Sequence, residues 1–141
     1  MAATTQWKAV TEWKSEMAFD SFVTDHHVIV DAEQKFGGKD RGPQPKPLLL
    51  TSLTGCTGMD VISILNKMRI TVDSFRIIAD AEAAEEHPKV FTKIHLTYEF
   101  KGKDLPMEKL RKAVDLSQER YCPVSAMLQN VLQLTYDIKV V

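Results

Sequence analysis

Apolar and polar positions alternate most sharply between Lys93 and Phe100, where Ile94, Leu96, Tyr98 and Phe100 are interleaved with Lys93, His95, Thr97 and Glu99. Successive side chains of a strand point to opposite faces, so this run predicts one buried and one wet face, as in an antiparallel sheet. An earlier run sets Phe75, Ile77, Ala79 and Ala81 against Arg76, Asp80 and Glu82, with Glu85 to Lys89 as the turn between the two. A closing strand is predicted where Leu132, Leu134, Tyr136, Ile138 and Val140 alternate with Gln133, Thr135, Asp137 and Lys139. Near the start, Trp7, Ala9, Thr11 and Trp13 alternate with Lys8, Val10 and Glu12. Met17, Phe19 and Val23 follow a break at Lys14 and Ser15, and then comes "HHVIV", His26 to Val30. These segments predict three short antiparallel strands.

Between the two groups of strands the period changes. Leu49, Leu50, Leu53, Val61, Ile62 and Leu65 recur at close to helical spacing and predict a helix from about Pro47 to Met68. Pro47 fits the first turn, where a missing N–H costs nothing. Very little charge precedes Lys67, so this helix is predicted to be buried on nearly all sides, with a second subunit helping to cover it. The approach to it, "AEQKFGGKDRGPQPKP" over 32–47, carries three glycines and three prolines and predicts a stiff, extended lead-in. Asp104 and Pro106 mark another helix start, with Leu110, Val114 and Tyr121 on one side and Lys109, Arg111, Lys112 and Glu119 outside. At "RYCPVSAML" the pattern breaks, because Pro123 disfavours helical geometry at Cys122. A second short helix can begin there with Pro123 in its first turn. The predicted order is βββ-α-ββ-αα-β, an α+β fold in a single domain over residues 1–141.

The chain has 141 residues, 44% of them hydrophobic, enough for one core. Its net charge of −1 offers no basic excess to neutralise phosphates, and no polybasic run suggests a membrane surface. Nucleic acid and membrane are therefore not expected as partners. The opening "MAATTQWKAVTEW" lacks the charged and apolar regions of a signal peptide, and no stretch offers about eighteen uninterrupted apolar residues. The expected location is cytoplasmic. There, two cysteines are expected to be reduced, each either reactive or buried, and they are too few for a cysteine-only zinc site. His26, His27, His87 and His95 show no metal-ligand spacing with either cysteine. With no HExxH, phosphate loop or Gly-x-Ser-x-Gly, neither a metal nor a cofactor is expected.

The cysteines remain as candidate chemistry. Cys122, just before Pro123, falls at a helix N-cap, where free backbone N–H groups favour a thiolate. The alternative is a buried structural thiol. Cys56 lies inside the long helix on the stripe of Leu49 and Leu53, where burial by itself raises a thiol pKa. Gly55 and Gly58 either open an approach to its sulfur or let another backbone pack close. Asp60, one turn on, would raise a neighbouring thiol's pKa and reads as a helix hydrogen-bonding partner or half of an ion pair.

The segments "GPQPKPLLL" and "GCTGMDVISIL", followed about fifty residues later by "AVDLSQERYCPVSAML", resemble the OsmC/Ohr superfamily of osmotically inducible and organic hydroperoxide resistance proteins, and within it the YhfA-like branch. The resemblance covers nearly the whole chain. It implies an OsmC-like intertwined homodimer, with antiparallel sheets wrapped around long central helices. It also implies thiol-dependent reduction of organic hydroperoxides, with Cys56 attacking the peroxide, Cys122 resolving, and an external dithiol as reductant. Well-studied peroxidases of the superfamily use an arginine from the N-terminal strands and a glutamate about ten residues before the reactive cysteine. Here no arginine precedes Arg41, and Lys46 and Pro47 stand ten and nine positions before Cys56. Arg41, Lys46 and Arg120 are the candidates for a replacement cation. The alternative function is a non-enzymatic small-molecule-binding or redox-sensing protein on the same fold.

Overall fold

Thr24 and Asp25 both adopt left-handed φ angles, 46° and 63°. Such a two-residue turn matches the twist of the strands it joins and closes a tight hairpin. On either side lie β2 (Ala18–Val23) and β3 (His26–Val30), and β1 (Ala9–Ser15) pairs with β2 on its other edge. All pairings in this sheet are antiparallel, with Phe19 opposite both Trp13 and Val30. The computed structural model describes residues 4–141; Met1, Ala2 and Ala3, part of the opening stretch read for a signal peptide and of the expected 1–141 domain, lie outside the described residues. The chain divides into two compact units, one ending at Leu49 and the other running from Leu50 to Val141.

In the first unit the segment after β3 is not an extended lead-in. It folds back on the end of β3 around Asp31, whose side chain is buried. That carboxylate accepts from the backbone N–H groups of Ala32 (2.8 Å), Lys39 (3.3 Å) and Arg41 (3.1 Å), and from Arg41 Nε at 2.8 Å. A 3₁₀ turn over Gln34–Phe36 ends on Gly37 at φ +89°, a conformation glycine adopts without strain. Any side chain at Gly38 would strike the Ala32 carbonyl. The glycines thus serve a tight return that satisfies the buried carboxylate, and the prolines follow it.

The long helix of the pattern is α1 (Leu48–Lys67), followed by β4 (Ser74–Ala83), β5 (Phe91–Lys101), α2 (Met107–Leu116), a single π turn (Ser117–Tyr121), α3 (Pro123–Leu128) and β6 (Gln133–Val140). The α+β class and the element order are those the periodicity predicts. The pairing differs in one place: β4 and β5 are antiparallel, but β6 runs parallel to β5. The cause is topological. A long helical crossover returns the chain to the end at which β5 began, and parallel strands need such a connection. β5 is the central strand, in the order β4-β5-β6. Ile94, Leu96, Tyr98 and Phe100 are fully buried, together with Leu110, Ala113 and Val114 of α2. Burying each large apolar side chain contributes about 2 kcal/mol. Phe75 stacks on Phe100 at 4.5 Å between ring centroids.

Within the described chain α1 is not buried on nearly all sides. Leu53, Thr57, Val61 and Leu65 form one buried stripe at intervals of four, while Met59 is 77% exposed and Leu49 and Ile62 are also open. Over its most apolar 18 residues the mean hydropathy is 1.6, so by length and composition α1 could cross a membrane. Its stripe packs in the same core cluster as Tyr98 and Val114, as in the core helix of a globular unit. Tyr121 also departs from expectation and is 51% exposed. The π turn inserts an extra residue and rotates Tyr121 off the face of Leu110 and Val114.

Candidate functional site

Cys122 leaves the helical region at φ −78°, ψ 106° and caps α3, with Pro123 as the first helical residue. Its backbone N–H closes the π turn on the Ser117 carbonyl at 2.8 Å. Its Sγ accepts from the Ser125 N–H at 3.4 Å, so the N-cap predicted from the Cys-Pro pair is observed. The side chain is 2% exposed. Among the described residues, the buried Ser125 hydroxyl has no hydrogen-bond partner.

Cys56 lies 66 positions earlier in the sequence. The fold brings its half-buried thiol near that of Cys122 and near the Val124 N–H, close enough for both to influence its protonation. Both cysteines are free thiols. Burial is the main influence pushing the Cys56 pKa up, with the neighbouring Cys122 thiol next; the Val124 N–H pulls it down and the charge of Asp60 adds to the rise. These groups hold Cys56 as a neutral thiol more firmly than water does. Cys56 sits beside the fully buried stripe of α1 rather than on it. Gly55 has nothing near where a Cβ would be, and Gly58 meets only Ile77 Cδ1 at 3.4 Å. Neither glycine is needed for packing within this unit. Both line an open cavity of about 640 Å³ with Met59, Ile62 and Phe75.

Next to the thiols is a buried polar chain that sequence reasoning missed. Thr57 Oγ1 lies 2.7 Å from the Tyr98 hydroxyl and 2.7 Å from Ser117 Oγ. Ser117 donates to Asp60 Oδ2 at 2.9 Å, and Gln118 Nε2 donates to the Tyr98 hydroxyl at 2.6 Å. Thr57, Tyr98 and Ser117 have no exposed surface. Each such hydroxyl needs a partner, since a buried unsatisfied one costs about 1–3 kcal/mol. Two signals were present in the sequence: Tyr98 on the buried face of a strand, and Ser117 three positions after Val114 on the inward face of α2. Asp60 is a helix hydrogen-bonding partner, one of the two roles expected for it. Burial pushes the Tyr98 phenol pKa up; its hydrogen bonds with Thr57 and Gln118 pull it back in part, and the nearby charges of Cys122 and Asp60 add a smaller push upward.

The candidate cations are placed differently. Arg41 is bound to Asp31, with Nη1 donating to Ser15 Oγ at 3.0 Å and Nη2 3.7 Å from Glu16. Lys46 lies in the turn before α1, its carbonyl accepting from the Leu49 N–H. Arg120 lies 5.6 Å from the centre of the Tyr121 ring. His27 pairs with Asp20 at 3.0 Å, and His95 bonds Thr135 at 2.7 Å. Among the described residues, no group of three or more His, Cys, Asp or Glu is placed to hold a metal ion.

Residues 37–137 match the family described as OsmC-like protein. The chain belongs to the OsmC-like family. Protein YhfA of Escherichia coli K12 is 33% identical over 135 residues, spanning 95% of this chain and 98% of that protein. A hypothetical protein from Aquifex aeolicus, solved by crystallography, is 31% identical with a TM-score of 0.82, covering 98% of this chain and 99% of its own. An organic hydroperoxide resistance protein OsmC from Legionella pneumophila superposes with a TM-score of 0.70 over 99% of this chain and 98% of its own. At 15% identity that last likeness is one of fold. In this OsmC-like chain the two matched motifs of the sequence converge on one pair of thiols.

Proposed function

We propose that this OsmC-like protein reduces organic hydroperoxides through Cys56 and Cys122. The observation that carries the reading is the proximity of two free thiols 66 positions apart in the sequence. Cys56, as thiolate, attacks the outer peroxide oxygen of R–O–O–H. The O–O bond breaks, the sulfur is oxidised to a sulfenic acid, and the alkoxide leaves as the alcohol after taking up a proton. Cys122 then attacks the sulfenic sulfur, an S–S bond forms and water leaves. An external dithiol reduces the disulfide by exchange and is itself oxidised. Cys122 fits the resolving role, because its Sγ is fixed by the Ser125 N–H next to Cys56.

The open face of α1 around Gly55, Gly58 and Met59 supports a homodimer in which a second copy covers that face and supplies the cation that Cys56 requires. A reducing cytoplasm suits a thiol pair of this kind. Nucleic acid, membrane, metal and cofactor have no part in the scheme.

The test is the free-thiol content of the reduced protein after a stoichiometric pulse of cumene hydroperoxide, with hydrogen peroxide in parallel. Rapid loss of two thiols, preferring the organic peroxide and absent in Cys56→Ser, is the expected result. Thiols that stay reduced for many minutes would overturn the assignment. The upward push on Cys56 favours a second reading, a redox sensor whose disulfide is a signal. Slow oxidation without recycling by dithiols would select it.

A further inference from the structure

We propose that the cavity between α1 and the segment from Leu116 to Tyr121 binds a small zwitterion whose ammonium and carboxylate stand roughly 10 Å apart across an apolar body, the chemistry of a free tripeptide. The cavity has a volume of about 390 Å³ and all of its walls belong to the second unit. Pockets for small molecules span about 300–1,000 Å³. One wall is built by α1 alone. Asp60, Ser63, Ile64 and Lys67 stand at i, i+3, i+4 and i+7, the spacing that gathers side chains on one side of a helix. The other wall comes from Leu116, the last residue of α2, and Tyr121, the last of the π turn. The extra residue of that turn takes Tyr121 off the core-facing side and leaves it 51% exposed at this cavity. The Arg120 guanidinium lies over its ring at 5.6 Å.

The polar groups on these walls are unengaged. Among the described residues, Asp60 accepts from the Ser117 hydroxyl through Oδ2, and its Oδ1 has no hydrogen bond. The Ser63 hydroxyl, the Lys67 ammonium and the Tyr121 hydroxyl make no hydrogen bond or ion pair among those residues. Lys67 suits the negative end of the α1 dipole, a role that leaves its ammonium free to meet a ligand. Ile64 and Leu116 put apolar surface between the charges. An apolar floor with a few convergent polar groups selects its ligand by where the charges fall. Asp60 offers an anion and Lys67 a cation, seven positions apart. Their Cα atoms are thus separated by about 10 Å along the helix axis. An α-amino acid, with its charges roughly 3 Å apart, reaches only one of them. Three linked residues span about 10 Å. Their ammonium then meets Asp60, their carboxylate meets Lys67, and an apolar middle side chain lies on Ile64, Leu116 and the Tyr121 ring. The site makes no use of either cysteine, so it goes beyond the thiol chemistry proposed above.

The test is a titration of the reduced full chain with the tripeptide Gly-Leu-Gly, followed through the backbone amide signals of proton–nitrogen NMR spectra. Saturable shifts confined to the amides around 60–67 and 116–121, with a Kd of about 1 mM, are the expected result. Ion pairs of this exposure contribute up to about 1 kcal/mol each, so acetylating the ammonium or amidating the carboxylate should each weaken binding about fivefold. Free leucine should not saturate the site. The variants fix the orientation. In Asp60→Asn the free and acetylated peptides should bind alike, while the amidated one still binds more weakly. In Lys67→Gln the free and amidated peptides should bind alike, while the acetylated one still binds more weakly. Neither change threatens the fold, because asparagine still accepts from Ser117 and Lys67 is exposed. Blocked peptides that bind as well as the free one would overturn the proposal. So would shifts that map elsewhere, or no saturation by about 20 mM. The titration involves no peroxide. A chain that binds the peptide yet consumes no hydroperoxide retains the site and loses the proposed reaction, and the converse outcome separates them the other way.

Discussion

Asp31 meets a guanidinium and three backbone N–H groups, whereas the Asp60 carboxylate meets a single hydroxyl that begins a line of neutral groups. In the first unit the negative charge is cancelled where it arises. Arg41 is held by it, and the loop after β3 is pinned. In the second unit, among the described residues, Asp60 is held by the Ser117 hydroxyl and no cation pairs with it. Its charge is felt at Cys56 and at Tyr98, whose pKa values it helps to raise. A paired carboxylate builds a structure; one held by a hydroxyl leaves its charge to act on the groups around it.

The sharpest way to break this contrast is to remove each region's key group and measure peroxide consumption. Cys56→Ser should abolish it entirely, while Arg41→Lys, which keeps the charge but loses the fork that bridges Asp31 and Ser15, should leave the rate within about twofold. A large loss in Arg41→Lys would make Arg41 part of the reaction. Next in size is Thr57→Val, which keeps the volume but takes a hydrogen-bonding partner from the buried hydroxyls of both Tyr98 and Ser117. A loss of about 2 kcal/mol is expected, read as a lower urea midpoint.

Acid should separate the two aspartates. The Arg41 guanidinium beside Asp31, with the backbone N–H groups behind it, holds its carboxyl well below the ordinary value of 3.8. The bonds therefore count fully above that value. As the pH falls below about 4 the unfolded chain binds a proton that the folded one refuses, and stability drains away. Exchange of the Lys39 and Arg41 amides should accelerate over that range, and Asp31→Asn should flatten the dependence. The smallest effect belongs to Gly55→Ala. With its Cβ site empty in the single chain, alanine should stabilise α1 by about 1 kcal/mol. If a second copy packs there, the same change should instead raise the dimer dissociation constant, measurable by sedimentation.

Much of the frame is legible in the sequence. The alternation around Tyr98 locates β5 and its buried face, and the Cys-Pro pair locates the cap of α3. Three features are not, each for a physical reason. α1 is apolar on many sides, but periodicity reports what a surface can bury and not what is there to cover it; the stripe from Leu53 to Leu65 is fully covered in the described chain, whereas Leu49, Met59 and Ile62 stay open. Helical spacing puts Tyr121 on the inner face because it assumes 3.6 residues per turn, an assumption the π turn breaks. Asp31 and Arg41, ten positions apart, meet only because glycines at 37 and 38 allow a return that no local propensity specifies. The hydroxyl chain is hidden for a related reason. Thr57, Tyr98 and Ser117 come from a helix, a strand and a π turn, and only tertiary packing makes them one object.

The long reach between Cys56 and Cys122 has a further consequence, for heat rather than for chemistry. A disulfide between them would close a loop of about 66 residues that contains β4, β5 and α2. By loop entropy a cross-link over that span restricts the unfolded chain by roughly 4 kcal/mol at room temperature. The oxidised second unit would therefore melt well above the reduced one. A cell that oxidised this protein would not merely record the event in a bond between two sulfurs; it would leave behind a chain harder to unfold and slower to degrade, until a dithiol undid the knot.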